Sequence, residues 1–142
     1  MIRVNRGGAP ASIVNNEAAW QAELKAAKAG GDKKAIARAE GRYRQRDVKV
    51  ALELAFNDKC AYCESEITSV TYGHIEHFYP KSRYPSKAFS WGNLLLSCPR
   101  CNDAEHKGNK FPLKSQGGPI VDPCVDDPSQ FFNFIYDPLA KL

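Results

Sequence analysis

The chain has 142 residues, 43% of them apolar and 25% charged, with 20 Lys and Arg against 16 Asp and Glu for a net charge of +4. That length allows one domain with a modest core, or a compact catalytic unit with appendages. No apolar run approaches the ~20 residues of a membrane helix, and the opening Met1-Ile2-Arg3-Val4-Asn5-Arg6 lacks the apolar stretch of a signal peptide, so a cytoplasmic location is expected.

Residues 1–58 hold 11 basic against 7 acidic side chains, whereas residues 59–142 hold 9 of each. The first region is expected to be helical. Asn16 to Gly30 is Ala-rich and free of Pro, with Trp20, Leu24 and Ala27 at helical spacing and Gly30-Gly31 as a stop. Asn15 or Asn16 would cap it. A longer helix is predicted from Asp32 to about Phe56, interrupted or bent near Gly41, with Val48, Leu52 and Phe56 on one stripe. The pair forms a helical hairpin. Its basic side chains, Lys33, Lys34, Arg38, Arg42, Arg44 and Arg46, either follow a nucleic-acid backbone through counterion release or make a solvated outer face.

Residues 59–114 concentrate the chemistry, for two Cys-x-x-Cys pairs, Cys60/Cys63 and Cys98/Cys101, lie within them beside all three histidines, His74, His77 and His106. Such pairs, a few dozen residues apart, read as one tetrahedral zinc site rather than as two redox dithiols or buried apolar cysteines. The zinc is structural, because four thiolates leave no open coordination position. Cys124 is left over as a free thiol. Val70 to His77 is β-branched and aromatic enough for a strand that delivers Glu76 and His77 at its end. Strict alternation would send these neighbours to opposite faces, so a shared site requires a strand end or a bulge. Asn93 to Ser97 reads as the returning strand, across a loop marked by Pro80, Pro85 and Gly92. Asn102 to Lys110 is predicted as a short helix, ended by Phe111-Pro112.

Residues 115–142 change character, with Asp122, Asp126, Asp127 and Asp137 against Lys141 alone, and with Pro119, Pro123, Pro128 and Pro138. The group Phe131-Phe132-Asn133-Phe134-Ile135-Tyr136 is too apolar for a free tail, so it packs back on the core or docks on a partner. No GxxxxGK[ST] loop is present, so the chain is not expected to hydrolyse ATP itself.

An acidic residue plus His, an Asn in a following loop, and an Asn after the last zinc cysteine together resemble the HNH endonucleases. The sequence is similar in finer detail to the PtuB-type HNH proteins of Septu and retron anti-phage systems. That similarity takes in Met1-Ile2-Arg3-Val4-Asn5-Arg6, Cys60-Ala61-Tyr62-Cys63-Glu64, Ile75-Glu76-His77-Phe78-Tyr79-Pro80-Lys81-Ser82, Trp91-Gly92-Asn93-Leu94-Leu95-Leu96-Ser97-Cys98 and Phe111-Pro112, and so spans most of the chain. It implies an α+β fold: a ββα-metal (HNH) core with a four-cysteine structural zinc site over residues 59–114, preceded by the helical hairpin of 1–58 and followed by the acidic Pro/aromatic segment of 115–142. It implies as well an ATPase partner subunit of the PtuA type. PtuB-type proteins continue into a further C-terminal region, and partner contacts made there are not carried over.

Phosphodiester hydrolysis needs a base for water and a cation for the charge growing on phosphate and leaving oxygen. His77 is the candidate base. Glu76 and Asn102 offer hard oxygens to Mg²⁺ or Mn²⁺, and His106, four residues after Asn102 on the predicted helix, is a further ligand or a phosphate contact. In the HNH pattern the middle Asn, here Asn93, ties down the loop through hydrogen bonds to backbone. His74 is expected to be structural. Lys81, Arg83 and Lys107 are candidate phosphate contacts. Two departures from the commoner pattern are Glu76 for Asp, which keeps an oxygen donor, and Asn102 for the final His, which offers one, and they shift the preference toward Mg²⁺ or Mn²⁺.

The expected function is therefore a metal-dependent HNH endonuclease, the effector of a defence complex, acting on nucleic acid, DNA ahead of RNA. The alternative is a zinc-ribbon module that binds nucleic acid or a partner without cleaving. Glu76-His77 with Asn102 separates the two, because a binding module has no use for a base beside metal-binding oxygens.

Overall fold

The computed structural model describes residues 1–67, 69, 71–133 and 135; Val70 of the predicted strand, Phe134 and Tyr136 of the aromatic group, and Asp137, Pro138 and Lys141 lie outside the described residues. Three helices come first: α1 (Ala11–Gly30), α2 (Lys33–Glu40) and α3 (Arg46–Phe56). Helix α1 starts at Ala11 rather than Asn16, because its cap is tertiary. Pro10 precedes it without a side-chain cap, and the backbone N–H of Ser12 donates to Asp47 Oδ2 of α3 at 2.9 Å. Asn16 instead sits inside the helix, its amide donating to the Ser12 carbonyl at 2.9 Å. Ile13, Trp20 and Leu24 form the buried stripe.

The predicted long helix is two helices. Asp32 caps α2 by accepting from Lys34 N at 2.8 Å, and α2 ends at Gly41. The amides of Gly41 and Arg42 close the turn on the Arg38 and Ala39 carbonyls, Gln45 is extended, and Tyr43 between them enters the core. Val48, Leu52 and Phe56 are the buried stripe of α3, as their spacing predicts.

Strand β1 (His74–His77) pairs antiparallel with β2 (Leu94–Ser97), with His74 opposite Ser97 and His77 opposite Leu94. Of the described residues of the predicted strand, 71–77, only His74–His77 form it. Gly73 turns the chain at φ +36°, where a Cβ would lie 2.9 Å from the Ile67 side chain. Leu94, Leu95 and Leu96 are fully buried, as are Val48 and Leu52 of α3, which is why β2 reads as a continuous apolar run. The predicted helix from Asn102 to Lys110 does not form; the segment is a series of turns and bends. Asp103 Oδ1 accepts the backbone N–H groups of Glu105 and His106, each at 2.9 Å, which competes with helical bonding. Gly108 is at φ +38°, and a Cβ there would meet the Asp103 carbonyl at 2.7 Å.

The N-terminal segment ties together the first Cys knuckle, the acidic segment and the turn before β2. Ile2 N donates to Glu64 Oε1 at 2.9 Å, Val4 N to the Pro123 carbonyl at 2.8 Å, and Trp91 Nε1 to the Gly7 carbonyl at 3.1 Å. Asp122, Pro123 and Pro128 of the acidic segment are buried, but Phe131, Phe132 and Ile135 of the aromatic group, expected to pack on the core or on a partner, are exposed and do not pack on the core. Among the described residues no helix is long and apolar enough to cross a membrane.

The cap between α3 and α1 is testable. Hydrogen bonds from Ser12 hold the Asp47 carboxyl below its ordinary value, so its stabilisation is present above about pH 4 and is lost as pH falls through the lower folded-state value. Asp47→Ala is expected to cost about 1 kcal/mol in urea unfolding at neutral pH, and the gap between variant and parent should close in acid. A gap that is the same at both pH values would show that the carboxylate does not cap α1.

Candidate active site

Two constellations are built on the β1–β2 pair. The first is the cysteine cluster. A bridge between Lys59 and Glu66 folds the first knuckle into a tight turn, closed by Glu64 N on the Cys60 carbonyl at 3.0 Å. The second knuckle leaves the end of β2, with Asn102 N on the Cys98 carbonyl at 3.1 Å and Cys101 N on Cys98 Sγ at 3.4 Å. Ala61 N binds the Leu96 carbonyl at 2.8 Å, which hangs the first knuckle on β2. The Sγ atoms of Cys60, Cys63, Cys98 and Cys101 all lie within 4.8 Å of one another, and Cys63 and Cys98 are 3.9 Å apart. A tetrahedral Zn²⁺ with bonds of about 2.3 Å requires sulfurs separated by about 3.8 Å, so the four could hold zinc. Cys124 is outside this cluster.

The second constellation is an open cleft of about 310 Å³ whose lining includes Glu76, His77 and Asn102 with Tyr43, Arg44 and Lys81. Glu76 and His77 are 6% and 5% exposed. They reach the same cleft because β1 ends at His77, and the register contains no bulge. His77 Nε2 is 2.8 Å from the Ala88 carbonyl. A carbonyl only accepts, so Nε2 carries the proton and Nδ1 the free lone pair. Burial lowers the His77 pKa to about 4, and the ring is neutral at physiological pH. Tyr43 packs edge-on against it, with centroids 4.6 Å apart.

Asn93, 3% exposed, binds only backbone. Its Oδ1 accepts from Tyr79 N at 2.7 Å, and its Nδ2 donates to the carbonyls of Tyr79 at 3.1 Å and Lys87 at 2.9 Å. The loop that carries Ala88 is thereby stitched to the start of β2. Asn102 Nδ2 is 3.1 Å from His74 Nδ1, so His74 orients the amide.

Several sequence expectations change here. His106 does not join Glu76 and Asn102: without a helix the four-residue spacing aligns nothing. Its ring instead binds Asp103 Oδ1 at 2.9 Å and lines a separate recess with Tyr62 and Cys101. Lys107 is not a surface phosphate contact. Its side chain is 7% exposed and pairs with Glu76, and it donates also to the His77 carbonyl at 2.6 Å. Burial pushes the Glu76 carboxyl up and the Lys107 ammonium down, and their ion pair opposes both shifts. Arg83 donates to the Phe111 carbonyl at 3.2 Å and lines a recess with Lys110 and Pro112, away from the cleft. Lys81 does line it, while 3.3 Å from Glu40. The contributions of Tyr43 and the Ala88 carbonyl had no sequence signal, since a buried tyrosine and a backbone oxygen look like any others.

Two measurements test this geometry. In proton-detected NMR of the imidazoles, His77 should show the Nε2–H tautomer at neutral pH and should not titrate until the pH falls well below 6.5; a His77 that protonates near 6.5 would mean an exposed ring. Lys107→Ala leaves a buried carboxylate unpaired and should cost about 3–5 kcal/mol. Removing both charges with Glu76→Gln and Lys107→Met should recover most of that loss; an unchanged urea midpoint for Lys107→Ala would show that the pair is not formed.

Residues 60–108 match the family model described as HNH endonuclease. The chain is 35% identical, over 94% of its length, to the Septu protein PtuB of Bacillus mycoides (strain KBAB4), covering 55% of that protein. It is 33% identical, again over 94% of its length, to the Septu protein PtuB of Bacillus thuringiensis, covering 48% of it. The chain thus spans about half the length of the curated relatives it matches. No solved structure gives a significant match. Residues 60–108 are an HNH endonuclease domain, in a chain related over most of its length to the Septu PtuB proteins.

Proposed function

We propose that this chain is a metal-dependent nuclease that hydrolyses phosphodiester bonds of nucleic acid, DNA ahead of RNA, as the effector of a prokaryotic anti-phage defence complex in the cytoplasm. One observation carries the chemistry: a buried, neutral His77 has Nε2 tied to the Ala88 carbonyl and opens on the same cleft as Glu76 and Asn102. An HNH domain and Septu relatives support the setting. A PtuA-like ATPase subunit is the partner that this kinship suggests.

His77 Nδ1 accepts a proton from water as the water oxygen bonds to phosphorus and the P–O bond to the departing sugar oxygen breaks; that oxygen takes its proton from solvent. The Ala88 carbonyl, receiving Nε2–H, stabilises the imidazolium as it forms. A pKa of about 4 suits a ring without substrate; the phosphate's negative charge raises its proton affinity on binding. Glu76 and Asn102 would supply the oxygens for Mg²⁺ or Mn²⁺, a donor set suited to an ion that keeps several waters and takes one or two carboxylates plus phosphate. That ion would neutralise charge on the phosphate and leaving oxygen. The Cys60, Cys63, Cys98 and Cys101 set is assigned to structural Zn²⁺, and His106 to neither ion.

Lys107 favours one other reading. Its ammonium already neutralises Glu76, so a chain in which it holds that place against a divalent ion would bind nucleic acid without cutting.

Purified chain is incubated with plasmid DNA and with structured RNA in Mg²⁺ or Mn²⁺, alone and with the ATPase subunit. Cutting should fall by about 10²–10⁴-fold in His77→Ala, with zinc content and circular dichroism unchanged. A variant that cuts as fast as the parent removes His77 from the mechanism, and inert parent in every arm favours the binding module. Cys98→Ser should lose zinc and unfold the sheet region, because thiolate-bound zinc contributes folding energy directly; a folded, metal-free Cys98→Ser would refute the structural zinc.

A further inference from the structure

A second and larger cavity, about 630 Å³, adjoins the cleft and shares Tyr43, Arg44, Ile75 and Asn102 with it. The cleft sits at the His77 end of β1, and this groove runs back toward the Gly73 end. Its other wall is the corner between α2 and α3, which presents Arg44 and Arg46 along with Lys49. No Asp or Glu lines it. Arg44 and Arg46 are exposed, and among the described residues neither is ion-paired, in contrast to Arg42, which is spent on Glu23 at 2.8 Å.

The corner is clamped on both sides of these two residues. Before them, Tyr43 is buried and packs on the His77 ring. After them, Lys49 Nζ donates to the carbonyls of Tyr72 at 3.0 Å and Gly73 at 2.6 Å. The backbone that carries two arginines without carboxylate partners is therefore fixed relative to the candidate base. Unpaired exposed arginines are common on solvated faces. A pair fixed by the base's own packing partner, along a groove free of acids that opens into the cleft, is the pattern expected of a charged polymer track.

We propose that this groove is a phosphodiester-backbone site, in which Arg44 and Arg46 each neutralise one phosphate of the strand on the Gly73 side of the scissile bond. It rests on the nuclease reading above and extends it: the α2–α3 corner positions substrate for His77. The remaining basic residues of the helical region do not share this task. Lys33, Lys34 and Arg38 are outside the groove lining, and so is Arg42.

The test measures binding of zinc-loaded full chain to a labelled DNA duplex, and to a labelled single strand, in Mg²⁺. All proteins carry His77→Ala, so that the probes survive. Affinity is followed between about 50 and 200 mM salt, where each phosphate contact contributes about 0.9 to the log–log slope on duplex and about 0.7 on single strand. Arg44→Ala with Arg46→Ala should reduce the slope by about 1.4–1.8 and weaken binding by about tenfold or more at the upper salt concentration. Lys33→Ala with Lys34→Ala should leave the slope at the parent value. If the parent binds and the arginine pair leaves its slope unchanged, or if the lysine pair costs as much, the groove assignment fails while the nuclease reading stands. A parent that binds neither probe overturns both.

Discussion

Two strands of four residues each cannot hold their own register in water, and everything at the candidate site hangs on β1 and β2. The pair is secured at both ends. At the Ser97 end the cysteine knuckles close on one another, with Ala61 tied to Leu96 between them. At the His77 end, Asn93 stitches the connecting loop by three hydrogen bonds to backbone. The apolar run of β2 supplies the third constraint by packing Leu94, Leu95 and Leu96 into the core with α3. A site placed at the end of so small a sheet depends on these clamps, because a slip of one residue would exchange the faces of Glu76 and His77.

The electrostatics of the cleft follow from burial. His77 is kept neutral by desolvation, although the Ala88 carbonyl would favour its charged form. Glu76 would be costly at 6% exposure without a cation, and Lys107 meets that need from a segment expected to be a helix. On the proposed reading, a divalent ion at Glu76 would compete with Lys107 for the same carboxylate. The ion pair is therefore linked to metal affinity: whatever weakens Lys107's hold should strengthen the ion's.

The helical region supplies more than a neighbouring surface. Tyr43 contacts the ring of His77, Asp47 caps α1, and Lys49 grips the turn before β1. These three residues lie within one turn-and-helix start, so movement of the α2–α3 corner would be felt at His77, at α1 and at the strand together.

The sequence by itself determined what depends on local chemistry. Cys-x-x-Cys spacing alone identified the four thiols that converge, since each pair needs only a tight turn to aim both sulfurs one way. The Val48, Leu52 and Phe56 stripe and the buried run of β2 were legible for a similar reason, because helical period and apolar continuity are local properties. Only the tertiary structure decided the rest. The cap of α1 comes from a residue 35 positions away, so no local cap could reveal where the helix begins. The segment after Cys101 is expected from sequence to be a helix, yet Asp103 captures the amides of Glu105 and His106 and the His106 ring and sends that histidine away from Asn102. Lys107 looked like a surface cation until the fold buried it against Glu76. Burial is a property of the packed chain, so neither the partner of a charge nor the tautomer of a histidine can be settled before the chain is folded around it.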